Sequence, residues 1–377
     1  MTTAALRERV IAAAHSCGAD AVRIAPAEPQ ARTAERMAAS FARGDLQTWP
    51  YDEPYAAKAA DPRTLLAAAR SVVCIAVAYA TPAEPQRPGR GRVSNYAWSN
   101  DYHARMRAVL RALAGELETL GATTAIACDT APVAERAFAE RAGLGWIGKH
   151  TNLIAPGLGS YVFLGEVVTS LELAPDAPLK KSCGGCTRCV TACPTGALRG
   201  DYTIDANRCI SDLTQRTGPI PREMRPLIGT WVWGCDICQD ACPPTARAPR
   251  TAAAFAPVDD ETRAPSLASL LRLKSGEFKR RYAHTAIGWR GGAILRRNAA
   301  VAMGNRLDRA DVPALEAAVA GDPHPLVRGH AAWALGRIGS PRALATLRAR
   351  AGRETDELVS DEIRAALLSH SQPARVR

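Results

Sequence analysis

The run CGGCTRCVTACP, from Cys183 to Pro194, decides how this chain is read. Its spacing, C-x2-C-x2-C-x3-C-P, is the one bacterial ferredoxins use to hold a [4Fe–4S] cube. Three thiolates from one short loop reach three irons, and the cysteine before proline serves the neighbouring cube. A second stretch, CDICQDACP, carries Cys235, Cys238 and Cys242 and keeps the later part of the run without its first cysteine. Cys209 stands free between the two. Crossing the pre-proline cysteines assigns Cys183, Cys186, Cys189 and Cys242 to one cluster, and Cys193, Cys209, Cys235 and Cys238 to the other. Zinc also uses C-x2-C pairs, but four ligands per zinc leave the triplet and the Cys-Pro endings unexplained. Two iron–sulfur clusters, close enough to exchange electrons, are therefore expected.

The rest of the chain supports a reducing environment. Its start, MTTAALRERVIAAAHSCGAD, interleaves Arg7, Glu8 and Arg9 with apolar residues and lacks the continuous core of a secretory signal. The longest apolar stretch, about Val72 to Ala80, is far below the ~20 residues of a membrane span. A cytoplasmic protein with no membrane association is expected, and there cysteines ligate metal more often than they pair. Cys17, Cys74 and Cys128, the three left over from eleven, sit on apolar elements and read as free thiols. Apolar residues at 47% and charged residues at 23% are ordinary for a globular protein. The net charge of +11 points towards a polyanionic partner.

Helical and strand patterns alternate over residues 1–175, which argues for an α/β domain. Arg7 to Cys17 and Arg105 to Leu120 read as helices, and Ser71 to Ala80, Thr124 to Cys128 and Tyr161 to Ser170 as strands. Between them DTAPVAERAFAERAGLGWIGK, Asp129 to Lys149, reads as a helix entered by way of Pro132 and closed by glycines. A loop with that much glycine can approach a flat ligand closely. Residues 176–250 form the cluster domain, and 251–290 a linker followed by a basic helical segment. In 291–377 the phrase RRNAAVAMGN returns as VRGHAAWALGR, with Gly304 matched by Gly336 at an offset of 32. Paired helices at that period suggest a short HEAT-like solenoid that needs a neighbour to cap it. The basic segment carries Arg280, Arg281, Arg290, Arg296 and Arg297, with Tyr282 and Trp289 interleaved. Such a group suits RNA, with cations for phosphates and aromatics for splayed bases.

Taken in order, the Asp129–Lys149 phrase, GSYVFLGEVVTS from Gly159, the ferredoxin run, CISDLTQ from Cys209 and the repeat tail resemble the epoxyqueuosine reductases, the QueG family. The similarity spans nearly the whole chain. It implies an α/β N-terminal cobalamin-binding domain, a ferredoxin-like domain with two [4Fe–4S] clusters, and C-terminal helical HEAT-like repeats. The implied enzyme is an oxidoreductase that removes the epoxide oxygen of epoxyqueuosine at the tRNA wobble position, through cobalamin reduced by the clusters. Asp129 matches the family's proton donor, although an Asp at a strand-to-helix junction is more often an N-cap. Ser94, Asp129, Leu153, Tyr161 and Ser211 match the wall around base-off cobalamin. The implied partners are the tRNA anticodon stem-loop and an electron donor such as flavodoxin or ferredoxin, with the enzyme a monomer.

Several positions depart from the family pattern: Ala59, Asn95, Asn100, Thr217 and Pro244-Thr245. They touch the expected cofactor rim and RNA face and leave the clusters and Asp129 in place. Two other readings remain at this stage: a corrinoid reductase of the dehalogenase kind acting on another substrate, and a ferredoxin-type electron carrier without catalysis.

Overall fold

The computed structural model describes residues 2–82 and 84–370. Residues 371–377, the end of the expected repeat tail, lie outside them. By compactness the division is coarser than the four segments expected from the sequence. The chain packs as two units, each assembled from three separated segments.

The first unit comprises Met1–Pro82, Asp101–Asn207 and Asp236–Ala256. Its centre is a four-stranded sheet in the order Ala21–Pro26, Ser71–Ala78, Val162–Thr169, Thr124–Ala127. Every pairing is antiparallel, so the alternation of helices and strands does not build a parallel sheet here. The strand SVVCIAVA is buried along almost its whole length because both faces are covered. On one face lies the helix Tyr102–Glu118, whose apolar residues at 3–4 spacing bury Met106, Leu110, Leu113 and Leu117. Gly165 lets it sit close, since a Cβ there would meet Leu110 Cδ1 at 2.9 Å. The other face is covered by Glu135–Arg141, whose Phe138 and Ala139 pack against Val72, Cys74 and Ala76. This helix is shorter than the expected one. The chain from Asp129 to Ala134 runs as bends and irregular backbone before it starts.

The second unit comprises Ala83–Asn100, Arg208–Cys235 and Pro257–Arg377. A parallel pair of short strands, Arg92–Val93 and Trp231–Trp233, joins two of its segments. The helices Gly292–Arg306, Pro325–Ile338 and Glu357–Leu368 pack in succession. The glycine repeat explains how they do so. A Cβ at Gly304 would meet Ala334 Cα at 2.9 Å, and one at Gly336 would meet Ala366 Cβ at 2.5 Å. Each repeat thus offers a bare backbone to the next helix. Gly336→Val is expected to destabilise the fold by about 1–3 kcal/mol through overpacking, read as a lower denaturant midpoint at unchanged slope. An unchanged midpoint would show that the helices do not need this contact.

The cap that the short solenoid needs comes from the Arg208–Cys235 segment. Arg225 is buried and donates to both oxygens of Glu362, at 2.9 and 2.7 Å. Asn298 donates to the carbonyls of Thr214 and Val232. Arg297, expected on the RNA face, is instead 0% exposed and donates to the carbonyls of Leu213, Arg216 and Gly218. It is structural, because a guanidinium spent on buried carbonyls has no donor left facing solvent. No helix among the described residues is long and apolar enough to cross a membrane.

Candidate active site

Asp129 follows the strand Thr124–Ala127 by two residues and adopts φ +53°, left-handed for a residue with a side chain. Asp tolerates that conformation better than most residues. The turn is fixed by the Asp129 backbone N–H, which donates to a carboxylate oxygen of Glu135. The N-cap alternative does not apply. Ala134 precedes the helix, and no side chain caps it. The Asp129 carboxylate, 54% exposed, instead meets His103 Nε2 at 3.0 Å.

His103 is held from its other side by Asp101, with Nδ1 to Oδ1 at 2.6 Å. Asp101 caps the helix Tyr102–Glu118 and also accepts the His103 backbone N–H. Helix start and strand end therefore meet at one hydrogen-bonded chain, Asp101–His103–Asp129. The bond to Asp129 is the largest influence that raises the His103 pKa, with burial opposing it and Asp101 adding to the rise. An imidazole of raised proton affinity thus lies within hydrogen-bond reach of a half-exposed carboxyl, the geometry a general acid needs. Tyr102 stacks on His103 and on Phe163, with centroids 4.1 and 4.0 Å apart, which fixes the ring planes. Asp101, His103 and Glu135 were not singled out from the sequence. Their only trace is Asp-x-His at the start of an amphipathic helix, which is indistinguishable from an ordinary cap.

Two of the glycines after Asp129 lie close against protein backbone. A Cβ at Gly143 would meet Ala177 O at 2.3 Å, and one at Gly145 would meet Ile154 O at 2.5 Å. They let the hairpin of Trp146–Ile147 and Leu153–Ile154 close on neighbouring backbone. Leu153 is buried in the core beneath the sheet. Tyr161 is buried as well, its hydroxyl donating to Asp240 at 2.8 Å. A corrin could use only the backbone of these two residues. Ser94 and Ser211 belong to the second unit. Ser94 is buried against Gly234, and the Ser211 hydroxyl accepts from Gln215.

Cys183, Cys186, Cys189 and Cys242 all fall in the first unit, near enough to act on one another electrostatically, although no three metal-ligating side chains among the described residues stand together at ligating distance. Burial raises the Cys189 and Cys242 pKa values, and Cys183 adds to both, with Cys186 adding to Cys242. Lys149 ties this loop to the glycine-rich phrase: its backbone N–H donates to Cys183 Sγ and its ammonium to the Gly184 carbonyl. Cys193 and Cys238 belong to the same unit, Cys209 and Cys235 to the other. None of the eleven cysteines is in a disulfide, so every expected ligand keeps its thiol. Of the remaining basic residues expected to meet RNA, Arg280 is exposed. Arg290 stacks over the half-exposed Trp289 at 3.8 Å. Arg281 pairs with Glu277, and Arg296 is held by Asp322 at 2.7 Å, which removes Arg296 from the set facing a ligand.

Cysteines at double-cluster spacing and, in the first unit, an acid–imidazole–acid network together point to the class of redox enzymes. Residues 60–130 match the family model "Epoxyqueuosine reductase QueG, DUF1730". Residues 182–245 match a 4Fe-4S double cluster binding domain, and residues 293–368 match HEAT repeats. Epoxyqueuosine reductase of Bacillus subtilis is 36% identical over 365 residues, 95% of this chain and 94% of that one. The Bacillus cereus enzyme is 35% identical over 375 residues, 96% and 97% of the two chains. A crystal structure of epoxyqueuosine reductase with an epoxyqueuosine-modified tRNA-Tyr stem loop superposes with TM-score 0.92 at 34% identity, covering 98% of this chain and 100% of that one. Another, from Bacillus subtilis with its catalytic loop swung out of the active site, gives 0.89 at 33% identity, covering 97% and 99%. The chain belongs to the epoxyqueuosine reductase family.

Proposed function

We propose that this protein reduces epoxyqueuosine to queuosine at the wobble position of tRNA, with Asp129 as the proton donor. The observation that carries the reading is the contact between Asp129 and His103 in a family member that retains a double cluster domain. Reducing an epoxide to an alkene breaks both C–O bonds, releases the oxygen as water, and consumes two electrons and two protons. Cobalamin in its base-off form, reduced through the two clusters, supplies the electrons when bound.

This chain's own residues do the rest. Asp129 protonates the departing oxygen, which would otherwise leave as an alkoxide, and His103 orients Asp129 and shares its proton. Cys183, Cys186, Cys189 and Cys242 hold one cluster, and Cys193, Cys209, Cys235 and Cys238 the other. Asp129 and the backbone at Leu153 and Tyr161 line the corrin site on the first unit. Arg280, Arg281 and Arg290, with Trp289 beside them, meet the anticodon stem-loop. A small carrier such as flavodoxin or ferredoxin delivers electrons, and the enzyme works as a monomer in the cytoplasm.

The test is direct. Protein loaded anaerobically with iron, sulfide and cobalamin is incubated with a reductant and epoxyqueuosine-containing tRNA, and the nucleosides are weighed by mass spectrometry. Loss of one oxygen from the modified nucleoside is expected. Fully loaded protein that binds the tRNA and leaves the epoxide untouched would overturn the proposal.

A further inference from the structure

Of the eleven cysteines only Cys186 is exposed. The loop around it, 184–188, is exposed throughout, and so are Lys180 and Lys181 just before it. Between Asp176 and Asp201 the chain has no acidic residue, while Lys180, Lys181, Arg188 and Arg199 carry positive charge. Arg199 is neutralised by Asp45 at 2.6 Å. Lys180, Lys181 and Arg188 form no ion pair with any described residue. Arg188 opens the helix Arg188–Ala192, the end at which the helix dipole disfavours a cation, so its charge does not serve the helix.

A fourth cation reaches the loop from the hairpin of Trp146–Ile147 and Leu153–Ile154. The Lys149 ammonium donates to the Gly184 carbonyl at 2.9 Å, and its backbone N–H to Cys183 Sγ at 3.4 Å. Lys181 lies over the Trp146 ring of the same hairpin, 5.7 Å from its centroid. Two contacts from one hairpin thus bring Lys149, Lys181 and the cysteine loop together. Glu140, which also reaches this hairpin, spends a carboxylate oxygen on the Ile147 N–H at 2.8 Å.

Proteins that exchange electrons must meet quickly, bring their redox groups close and part again, and such encounters bury little surface. Complementary charge suits them, since it speeds association by about 10–10³-fold at low salt without a large apolar contact. Resting on the reading that iron–sulfur clusters feed the reduction, we infer that the face formed by Lys149, Lys180, Lys181 and Arg188 around Cys186 is the docking surface for an acidic electron-carrier protein. One electron leaves the carrier, which is oxidised by that electron, and the cluster on Cys183, Cys186, Cys189 and Cys242 is reduced by it. No atom changes place, and two such encounters supply the two electrons of a turnover. RNA is the other polyanion for a cationic face, but its unpaired bases need aromatic side chains to stack on. No aromatic residue stands between Asp176 and Asp201, and the Trp146 ring is taken by Lys181.

The test uses the full chain loaded with iron, sulfide and cobalamin, with a reduced flavodoxin of acidic composition as the probe. Oxidation of the flavodoxin is followed by stopped-flow absorbance. The parent rate should fall by about tenfold or more between about 50 and about 200 mM salt. The double variant Lys180→Glu/Lys181→Glu should react about tenfold or more slowly than the parent at the lower salt, and almost independently of salt. Arg188→Gln, which removes a single charge, should fall between the two. Dithionite should reduce the clusters of parent and variants to the same extent, and equal iron content checks that the clusters are intact. Binding of tRNA should be unchanged. No step involves epoxyqueuosine, so the result stands whether or not the chain reduces it. A parent rate indifferent to salt, a double variant that takes electrons as fast as the parent, or a charge reversal that weakens tRNA binding as much as it slows the flavodoxin reaction would overturn the inference.

Discussion

Asp129→Asn is expected to slow single-turnover epoxide reduction by about 10²–10⁴-fold, the usual contribution of a positioned general acid. Iron content, cobalamin uptake and tRNA binding should stay near those of the parent. The amide has the size of the carboxyl and remains within reach of His103 Nε2, now 3.0 Å from Oδ2. The turn at φ +53° is also preserved, because it depends on the backbone N–H bonded to Glu135 and on a residue type that tolerates the left-handed region. What disappears is the proton that the departing oxygen must receive. Measuring one turnover of pre-reduced enzyme keeps electron delivery out of the rate. A variant running within about threefold of the parent would remove Asp129 from the chemistry and leave it as a shaper of the turn.

Glu362→Ala is expected to cost about 3–5 kcal/mol of stability, the penalty for leaving one member of a buried ion pair alone. Arg225, 1% exposed, now spends two guanidinium nitrogens on Glu362 and a third on the Ile220 carbonyl. Arg222 reaches the same carboxylate from the surface at 3.1 Å. Cationic neighbours add to the cost: Arg225 acts electrostatically on both the fully buried Arg297 and the fully buried His330. Without Glu362 the Arg208–Cys235 segment loses its hold on the last repeat helix, and the short solenoid loses part of its cap. Arg364→Ala, which breaks the exposed Arg364–Asp361 pair, is the matched control and should shift the denaturant midpoint hardly at all. Equal midpoints for the two variants would show that the buried pair is not what joins these segments.

The residues differ in how far they could be read in advance. The cysteines were legible because a cube of iron and sulfur imposes its dimensions on a few adjacent residues, and that constraint is written as spacing. The repeat was legible because Gly304 and Gly336 meet the same requirement, a bare backbone against the next helix. The glycines at 143 and 145 had the same signature, and they meet the backbone of Ala177 and Ile154 at close range. Composition cannot distinguish the two, since a protein carbonyl and a ligand atom exclude a Cβ equally well. Arg297 looked like its neighbours in a basic stretch, and only the packing of the Arg208–Cys235 segment reveals that it is inside.

What the sequence determined by itself, then, was everything carried by short-range spacing: the cluster cysteines, the helix period of the tail and the position of the acid at a strand end. The tertiary structure decided which groups face each other across long separations. It placed His103 beside Asp129 and Arg225 against Glu362. Charge and proton affinity depend on distance and burial, and neither is a property of neighbours along a chain.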